Sequence, residues 1–109
     1  MHITDAPFSV TNWEDLPSAE QPGETGTARL RTVEIGNLRV RMVEYSANYL
    51  ADHWCARGHV VLVLEGELMM EISDGRIVTI TAGQSFQVAD DFDPHRARTT
   101  VAAKVFVVD

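Results

Sequence analysis

The sequence has little of several features that define common classes of protein. Its 109 residues include a single cysteine, Cys55, and no apolar run that approaches the roughly 20 residues of a membrane-spanning helix. One cysteine excludes a disulfide within the chain, which is typical of a reducing compartment and leaves a free thiolate ligand or a reactive thiol. The first residues, Met1 to Asp5, lack the basic and apolar regions of a secretory signal. We therefore expect a cytoplasmic protein with no membrane partner.

Positive charge is scarce as well. The formal net charge is −7, and residues 1–28 carry five acidic side chains and no Lys or Arg. Nucleic-acid surfaces depend on clustered Lys and Arg, so we expect no nucleic-acid partner. The sequence also lacks an internal repeat, a glycine-rich phosphate loop, a nucleophile elbow and a paired-carboxylate motif. Metal chemistry is the one reaction class with positive support.

The length fits one compact domain in two segments. Residues 1–27 are rich in Pro and Gly and lack periodicity, which predicts an irregular arm that packs on the barrel or on a partner subunit. A short helical turn near Trp13 to Leu16 is compatible with this pattern. Residues 28–109 consist of strand-length segments between turn signals, which indicates an all-β barrel or sandwich. The expected anchors of the arm are Phe8, Val10, Trp13 and Leu16.

Alternation and turn residues predict individual strands. Apolar Leu38, Val40 and Met42 alternate with residues 39, 41 and 43, so the apolar set is expected to face the core and the arginines to face outward. The pairs Gly36-Asn37 and Asp74-Gly75 predict two-residue hairpin turns. The segment 60–64 is apolar on both parities, so both of its faces should be covered. A homodimer is therefore the default expectation.

Four potential metal ligands lie in two short stretches of the chain: His53, Cys55 and His59 in the first, and His95 in the second. On an extended strand His53 and Cys55 point to the same side, and a bend at Gly58 can return His59 to the same cavity. Each residue taken alone is more often a packed or hydrogen-bonded side chain than a ligand. Together they favour metal binding. We expect one divalent metal ion, with zinc as the first choice and iron or nickel as alternatives.

The same residues carry a family resemblance. His53-x-Cys55, His59 and Gly66 occupy the places where the first cupin motif has His-x-His, Glu and Gly, and Gly83 leads to Pro94-His95 as in the second motif. Two ligand types differ, the inner Pro of the second motif is replaced, and its spacing is one residue longer. From about residue 28 to 109 the chain resembles a small single-domain cupin. The run from Asp52 to Cys55 resembles the uncharacterised cupins named after an Asp-His-Cys-Trp (DHCW) motif.

This resemblance implies a cupin-type double-stranded β-helix, or jelly-roll, barrel that holds a metal ion on His53, Cys55, His59 and His95. Cys and His in place of the usual His and Glu make the site softer and more zinc-like. Three functions stay open: a metal-binding module with a small-molecule pocket, a metal-dependent oxygenase, isomerase or hydrolase, and a redox-sensing thiol. No catalytic residue is assigned.

Supporting residues are predicted around the metal. Asp52 can orient a ligand histidine, and Arg57, Arg96 or Arg98 can attract an anionic small molecule, although each is more often a solvated surface charge. Asp90, Asp91 and Asp93 favour a solvated loop beside His95. Strand positions that can line an apolar pocket, or pack in the core, are Phe86, Met42, Met70, Val63 and Phe106. Glu44 or Tyr45 can point inward, and parity does not select between them.

Overall fold

A computed structural model describes residues 2–109 as an almost entirely β structure. One 3-10 turn at Trp13–Asp15 precedes the strands, and none of the helical structure in residues 2–109 has the length and apolar character to cross a membrane. The all-β class predicted from the turn signals is confirmed. The strands are β1 (Ala19–Pro22), β2 (Thr27–Ile35), β3 (Leu38–Tyr45), β4 (His59–Ile72), β5 (Ile77–Thr81), β6 (Ser85–Val88), β7 (His95–Arg98) and β8 (Ala103–Val108).

The long strand β4 joins the two sheets of the barrel. Its first half pairs antiparallel with β8 and β6, and its second half pairs with β5 and β7. The path β1-β2-β3-β8-β4 completes the first sheet. The register against β8 slips between Val63 and Glu65, which leaves Leu64 as the extra residue of a β-bulge. The bulge reverses the side-chain parity, so that Val61 and Val63 before it and Leu68 and Met70 after it all belong to the core.

The orientation predicted for β3 is wrong. Val43 is buried and, with Arg41 and Tyr45, lines an internal cavity, whereas the alternate apolar residues lie on the outer side. A regular apolar alternation normally faces the core. Here the outer side is partly covered instead, because Met42 pairs with Phe106 and the Trp13 ring packs edge-on against Phe106 at 6.1 Å between centroids. Asp109, the residue that follows β8, pairs with Arg41 and makes the inward arginine acceptable.

One of the two predicted two-residue turns forms as expected, and the other lies in a longer connection. Ile35 pairs directly with Leu38, so Gly36-Asn37 is the predicted two-residue hairpin, and Gly36 has a φ of +56° that glycine tolerates best. Asp74-Gly75 lies in a longer connection than predicted, since β4 ends at Ile72 and β5 begins at Ile77. Asp74 stabilises this turn by accepting hydrogen bonds from the backbone N–H of Arg76 at 3.1 Å and from its Nε at 2.8 Å.

The N-terminal segment contains a β-strand in addition to the predicted irregular arm. Its residues Ala19–Pro22 form β1, an exposed edge strand paired with β2, which the sequence did not reveal because all four residues lack a buried face. Trp13 and Leu16 are half-buried, as expected for anchors, whereas Phe8 is 97% exposed and Val10 is 86% exposed. Phe8 and Val10, two of the four expected anchors, therefore make few contacts within the chain.

Candidate metal centre

A short backbone bridge brings Cys55 and His95 together. The Cys55 N–H donates to the His95 carbonyl at 2.7 Å, and the His95 N–H donates to the Cys55 carbonyl at 3.0 Å. His95 begins β7 and is 2% exposed, while Cys55 is half-buried in the connection between β3 and β4. Two residues that are 40 positions apart in the sequence are thus held on one rung of antiparallel β structure.

His59 completes a compact group of three potential ligands. It begins β4, and its Nε2 lies 2.8 Å from Nε2 of His95. One ligand atom from each of Cys55, His59 and His95 lies within 4.8 Å of the other two. A thiolate and two neutral imidazoles at these separations form a donor set suited to zinc and other borderline or soft divalent metals.

The hydrogen bonds of His95 prepare its Nε2 to act as a ligand. Its Nδ1 lies 3.0 Å from the carbonyl oxygen of Asp93. Because a carbonyl only accepts, Nδ1 carries the proton, and the neutral ring keeps a lone pair on Nε2. This is the arrangement by which metal-bound histidines are usually oriented.

His59 is left with a polar atom that has no partner. In the 2.8 Å contact, His59 Nε2 donates to the lone pair of His95, so Nδ1 of a neutral His59 ring has no proton. That Nδ1 is buried without a hydrogen bond to any group in residues 2–109 and faces Oδ2 of Asp109 at 3.7 Å. Burial and the neighbouring His95 lower the pKa of His59 to about 4, which keeps the ring neutral at pH 7.

The carboxylate of Asp109 is held by two arginines of β3. It is 1% exposed, and it receives hydrogen bonds from Nε and Nη2 of Arg39, both at 2.9 Å, and from Nη2 of Arg41 at 3.1 Å. Burial raises the pKa of Asp109, but the Arg39 hydrogen bond and the charges of Arg41, Arg39 and Arg57 outweigh burial and lower it. Asp109 is therefore a fixed negative charge beside His59.

His53 lies apart from the three-residue group. Its side chain is 76% exposed, and its Nδ1 is 2.7 Å from Oδ1 of Asp52, the residue predicted to orient a ligand histidine. The hydrogen bond and the charge of His53 lower the pKa of Asp52. The Asp52–His53 pair lies at the exposed side of the site, and a role for Asp52 in orienting a metal ligand stays a prediction.

The arginines predicted to attract an anion have different partners. Arg96 donates to Oε2 of Glu71 at 2.6 Å, and Arg98 donates to Oε1 at 2.7 Å, so one carboxylate engages both. Arg96 also lies over the Trp54 ring, 4.7 Å from its centroid. Arg57 is 54% exposed and lies 3.7 Å from Asp109. The predicted acidic loop has structural roles, since Asp90 accepts a 2.6 Å hydrogen bond from the Gly58 N–H.

An internal cavity of ≈ 140 Å³ adjoins the three potential ligands. It is far larger than the 10–15 Å³ that holds one water molecule, so it admits a small organic molecule. Its polar wall residues include Tyr45, whose pKa is raised to about 12, mainly by burial. Of the predicted pocket residues, Phe86 and Met70 line the cavity, Val63 is packed in the core, and Met42 and Phe106 lie on the outer side of their strands.

Sequence reasoning missed Arg41, Asp109 and Glu71 as parts of the site. Arg41 was predicted to face solvent because of the alternation in β3, and Glu71 sits in an ordinary strand position. Asp109 comes from the end of β8 and meets β3 only through the register that pairs Val40 with Val108. Pairing between strands so distant in the chain leaves no local signal in the sequence. The one hint was Tyr45, which could point inward and has the same parity in β3 as Arg41.

Comparisons with known proteins identify the fold. No family model matches the chain, and no curated protein has a closely similar sequence. Solved structures do match it. An RmlC-like cupin from Shewanella frigidimarina superposes with a TM-score of 0.74 at 19% identity, over 96% of this chain and 92% of that one. The polyketide cyclase RemF from Streptomyces resistomycificus gives 0.74 at 21% identity, over 93% and 78%.

Fe(II) HppE is also similar, with a TM-score of 0.76 at 16% identity, over 98% of this chain and 62% of the HppE chain. Sequence identities this low establish the fold alone. The chain adopts the cupin jelly-roll barrel, which confirms the fold that the two sequence motifs predicted. A place in the Asp-His-Cys-Trp group stays a prediction.

Proposed function

We propose that this protein is a metal-binding small cupin in which Cys55 Sγ, His59 Nε2 and His95 Nε2 bind one divalent ion beside a small-molecule cavity. The observation that carries this proposal is the buried Nδ1 of His59, which has no hydrogen-bond partner and faces a carboxylate. A buried polar atom without a partner costs about 1–3 kcal/mol, so its presence beside three clustered donors needs an explanation.

A bound metal removes this mismatch. With the lone pair of His59 Nε2 directed to the metal, the ring proton moves to Nδ1 and points at the Asp109 carboxylate. His95 needs no change, because its Nδ1 already donates to Asp93. Two nitrogens on a tetrahedral metal lie about 3.4 Å apart, from metal–nitrogen distances near 2.1 Å. The two rings, 2.8 Å apart between their Nε2 atoms, must therefore separate slightly.

Zinc is the first choice of metal, since one thiolate and two imidazoles are common zinc ligands. Iron and nickel also accept this donor set, and a protein of the same fold, HppE, is known in an Fe(II) form. The order of affinities among divalent metals does not select one of them. Metal analysis of the purified protein is required for that.

The number of ligands supports a second candidate function, a metal-dependent enzyme. Three protein ligands leave a coordination position for water or substrate, as in catalytic zinc sites, whereas structural sites usually have four. Cys55, His59 and His95 all line the cavity, so that position faces the space for a small molecule. The reaction class, whether oxygenase, isomerase or hydrolase, is not specified by these residues.

We also propose a homodimer, formed through the outer face of the first sheet. Val60 is 41% exposed and Leu64 is 40% exposed on β4, next to the outward-facing apolar side of β3 and β8. An apolar sheet face of this kind is suited to a second copy of itself. A cytoplasmic location stays a prediction from the single cysteine.

Metal analysis of four proteins tests the proposed ligands: the native chain and the variants Cys55→Ser, His95→Ala and His53→Ala. Each is purified without oxygen, incubated with Zn²⁺, Fe²⁺ or Ni²⁺ and desalted, and its metal content is measured by mass spectrometry. We expect about one ion per native chain, loss of most metal in Cys55→Ser and His95→Ala, and retention in His53→Ala.

His53→Ala is the matched control, because it removes a histidine that lies in the same stretch but outside the group of three. If His53→Ala loses the ion as completely as Cys55→Ser, the centre uses the four ligands predicted from the sequence. A native protein that takes up none of the three metals, and whose melting temperature does not change with them, would contradict the proposal.

A further inference from the structure

Arg41 lines the cavity and has a buried N–H donor with no acceptor in residues 2–109. Its Nη2 donates to Asp109 at 3.1 Å, but its Nε is buried and has no hydrogen-bond partner in the part of the chain that the structure describes. The other arginine of the cavity wall, Arg96, donates through Nε to Glu71. Arg39, the neighbour of Arg41 on β3, uses both Nε and Nη2 on Asp109 and does not line the cavity. Among these three arginines, Arg41 alone combines a place in the cavity wall with a buried N–H that has no partner in residues 2–109.

The charge of the cavity wall has one sign. Arg41 and Arg96 line it, and no Asp or Glu does so among residues 2–109, although the chain as a whole carries a net charge of −7. A divalent metal with one thiolate ligand adds a further net positive charge. Both wall arginines are ion-paired, but Arg39, Arg41 and Arg57 share the single carboxylate of Asp109, and Arg96 and Arg98 share that of Glu71. Positive charge therefore stays in excess around the cavity, which favours anions.

Arg41 also lies close to the metal ligands. Oδ2 of Asp109 is 3.1 Å from Arg41 Nη2 and 3.7 Å from His59 Nδ1, so the guanidinium and the imidazole meet the same oxygen. Arg41 and the three potential ligands line the same cavity, so a small ligand held there can approach both the metal and the guanidinium. Its remaining atoms would meet apolar side chains of the wall, such as Val43, Leu68 and Phe86.

We propose that the cavity binds a small organic carboxylate whose oxygen accepts a hydrogen bond from Arg41 Nε and whose apolar part packs against the inner strands. This inference deepens the proposed function, on which it rests for the second contact of the ligand, the metal. Arg41 is then the residue that selects anionic over neutral molecules of the same shape.

Nuclear magnetic resonance of the zinc-loaded protein tests the proposal with a pair of probes of matched shape. Isobutyrate is the carboxylate, and isobutyramide is its neutral counterpart. The Nε–Hε signal of Arg41 is assigned by its absence in Arg41→Gln and followed during titration with each probe. We expect isobutyrate to shift this signal and to bind at least about tenfold more tightly than isobutyramide, as for a hydrogen bond to a charged group.

Arg39→Gln is the control variant, because Arg39 also binds Asp109 but does not reach the cavity. We expect Arg39→Gln to keep the preference for isobutyrate and Arg41→Gln to lose it. Equal binding of the two probes to the native protein, no binding of either, or an isobutyrate shift confined to Arg57 or Arg96 would overturn the proposal. These native-protein outcomes remain decisive if Arg41→Gln does not fold.

Metal content, measured on the same samples, separates the two proposals. If the native protein holds zinc but shows no preference for isobutyrate, the anion proposal fails and the metal centre stands. If the protein binds no metal while isobutyrate still shifts the Arg41 signal, the metal centre fails and anion recognition stands.

Discussion

Asp109 is the residue that connects β3 to the candidate metal centre. Its buried carboxylate binds Arg39 and Arg41 on one side and faces Nδ1 of His59 on the other. Carboxylates behind metal-bound histidines fix the tautomer and the orientation of the ring and raise its basicity. Asp109 is thus expected to act as a positioning residue for His59.

We predict that Asp109→Asn weakens zinc binding by about tenfold to 100-fold, the usual effect of losing such a partner. The asparagine keeps the shape of the side chain but not its charge, so a proton on Nδ1 of His59 is less stabilised. Competition with a chromophoric zinc chelator measures the change.

The appropriate comparison is Arg39→Gln, which breaks the main ion pair of Asp109 without approaching His59. Its zinc affinity should change less than that of Asp109→Asn. If both variants lose affinity to the same extent, Asp109 acts on the site only by stabilising the end of β8.

At the scale of elements, local signals predicted where strands begin and end better than which way they face. Gly36-Asn37 set the hairpin between β2 and β3 correctly. The parity of β3 was assigned wrongly because alternation shows that a strand has two faces, but not which one is inward when both are partly covered. The Leu64 bulge was not predicted for a related reason, since the run from Val60 to Leu64 is apolar on both parities.

Trp13 of the N-terminal arm covers part of the outer face of the first sheet by packing against Phe106. We predict that Trp13→Ala destabilises the protein by about 1–2 kcal/mol, because it removes a half-buried ring and its edge-on contact with Phe106. Phe8→Ala, at a site that is 97% exposed, should change stability by less than about 0.5 kcal/mol. Urea unfolding, compared through the midpoint and slope, measures both. A Phe8→Ala effect as large as that of Trp13→Ala would show that Phe8 has a contact outside its own chain.

For the whole molecule, the cupin barrel was predictable and the full site was not. The spacing of His53, Cys55, His59 and His95 identified three residues that the structure brings together, because the motif positions are tied to the barrel. The Asp109 and Arg41 contacts come from strand pairing between distant segments, and no short-range pattern encodes them.

The predicted homodimer belongs to this scale. We expect the native protein to have about twice the 12.1 kDa mass of the chain in solution, and Leu64→Glu to yield monomers because it places an unpaired charge in the apolar face. Light scattering coupled to size-exclusion chromatography gives the masses. Val101→Glu, at an exposed apolar site in the connection before β8, is the control and should stay dimeric. A monomeric native protein at micromolar concentration would be evidence against the dimer.

The buried Arg41–Asp109 pair has a consequence for anyone who engineers this chain for heat resistance. Replacing buried ion pairs with apolar residues of similar volume is often neutral or stabilising by about 1–4 kcal/mol. A stability-guided redesign would therefore favour aliphatic residues at Arg41 and Asp109, and also at Arg39, which would otherwise lose its carboxylate partner. The resulting protein would be harder to unfold, yet its His59 would lose its carboxylate and its cavity would lose the free guanidinium N–H. In this barrel, selection for thermostability alone would remove contacts that the candidate site requires.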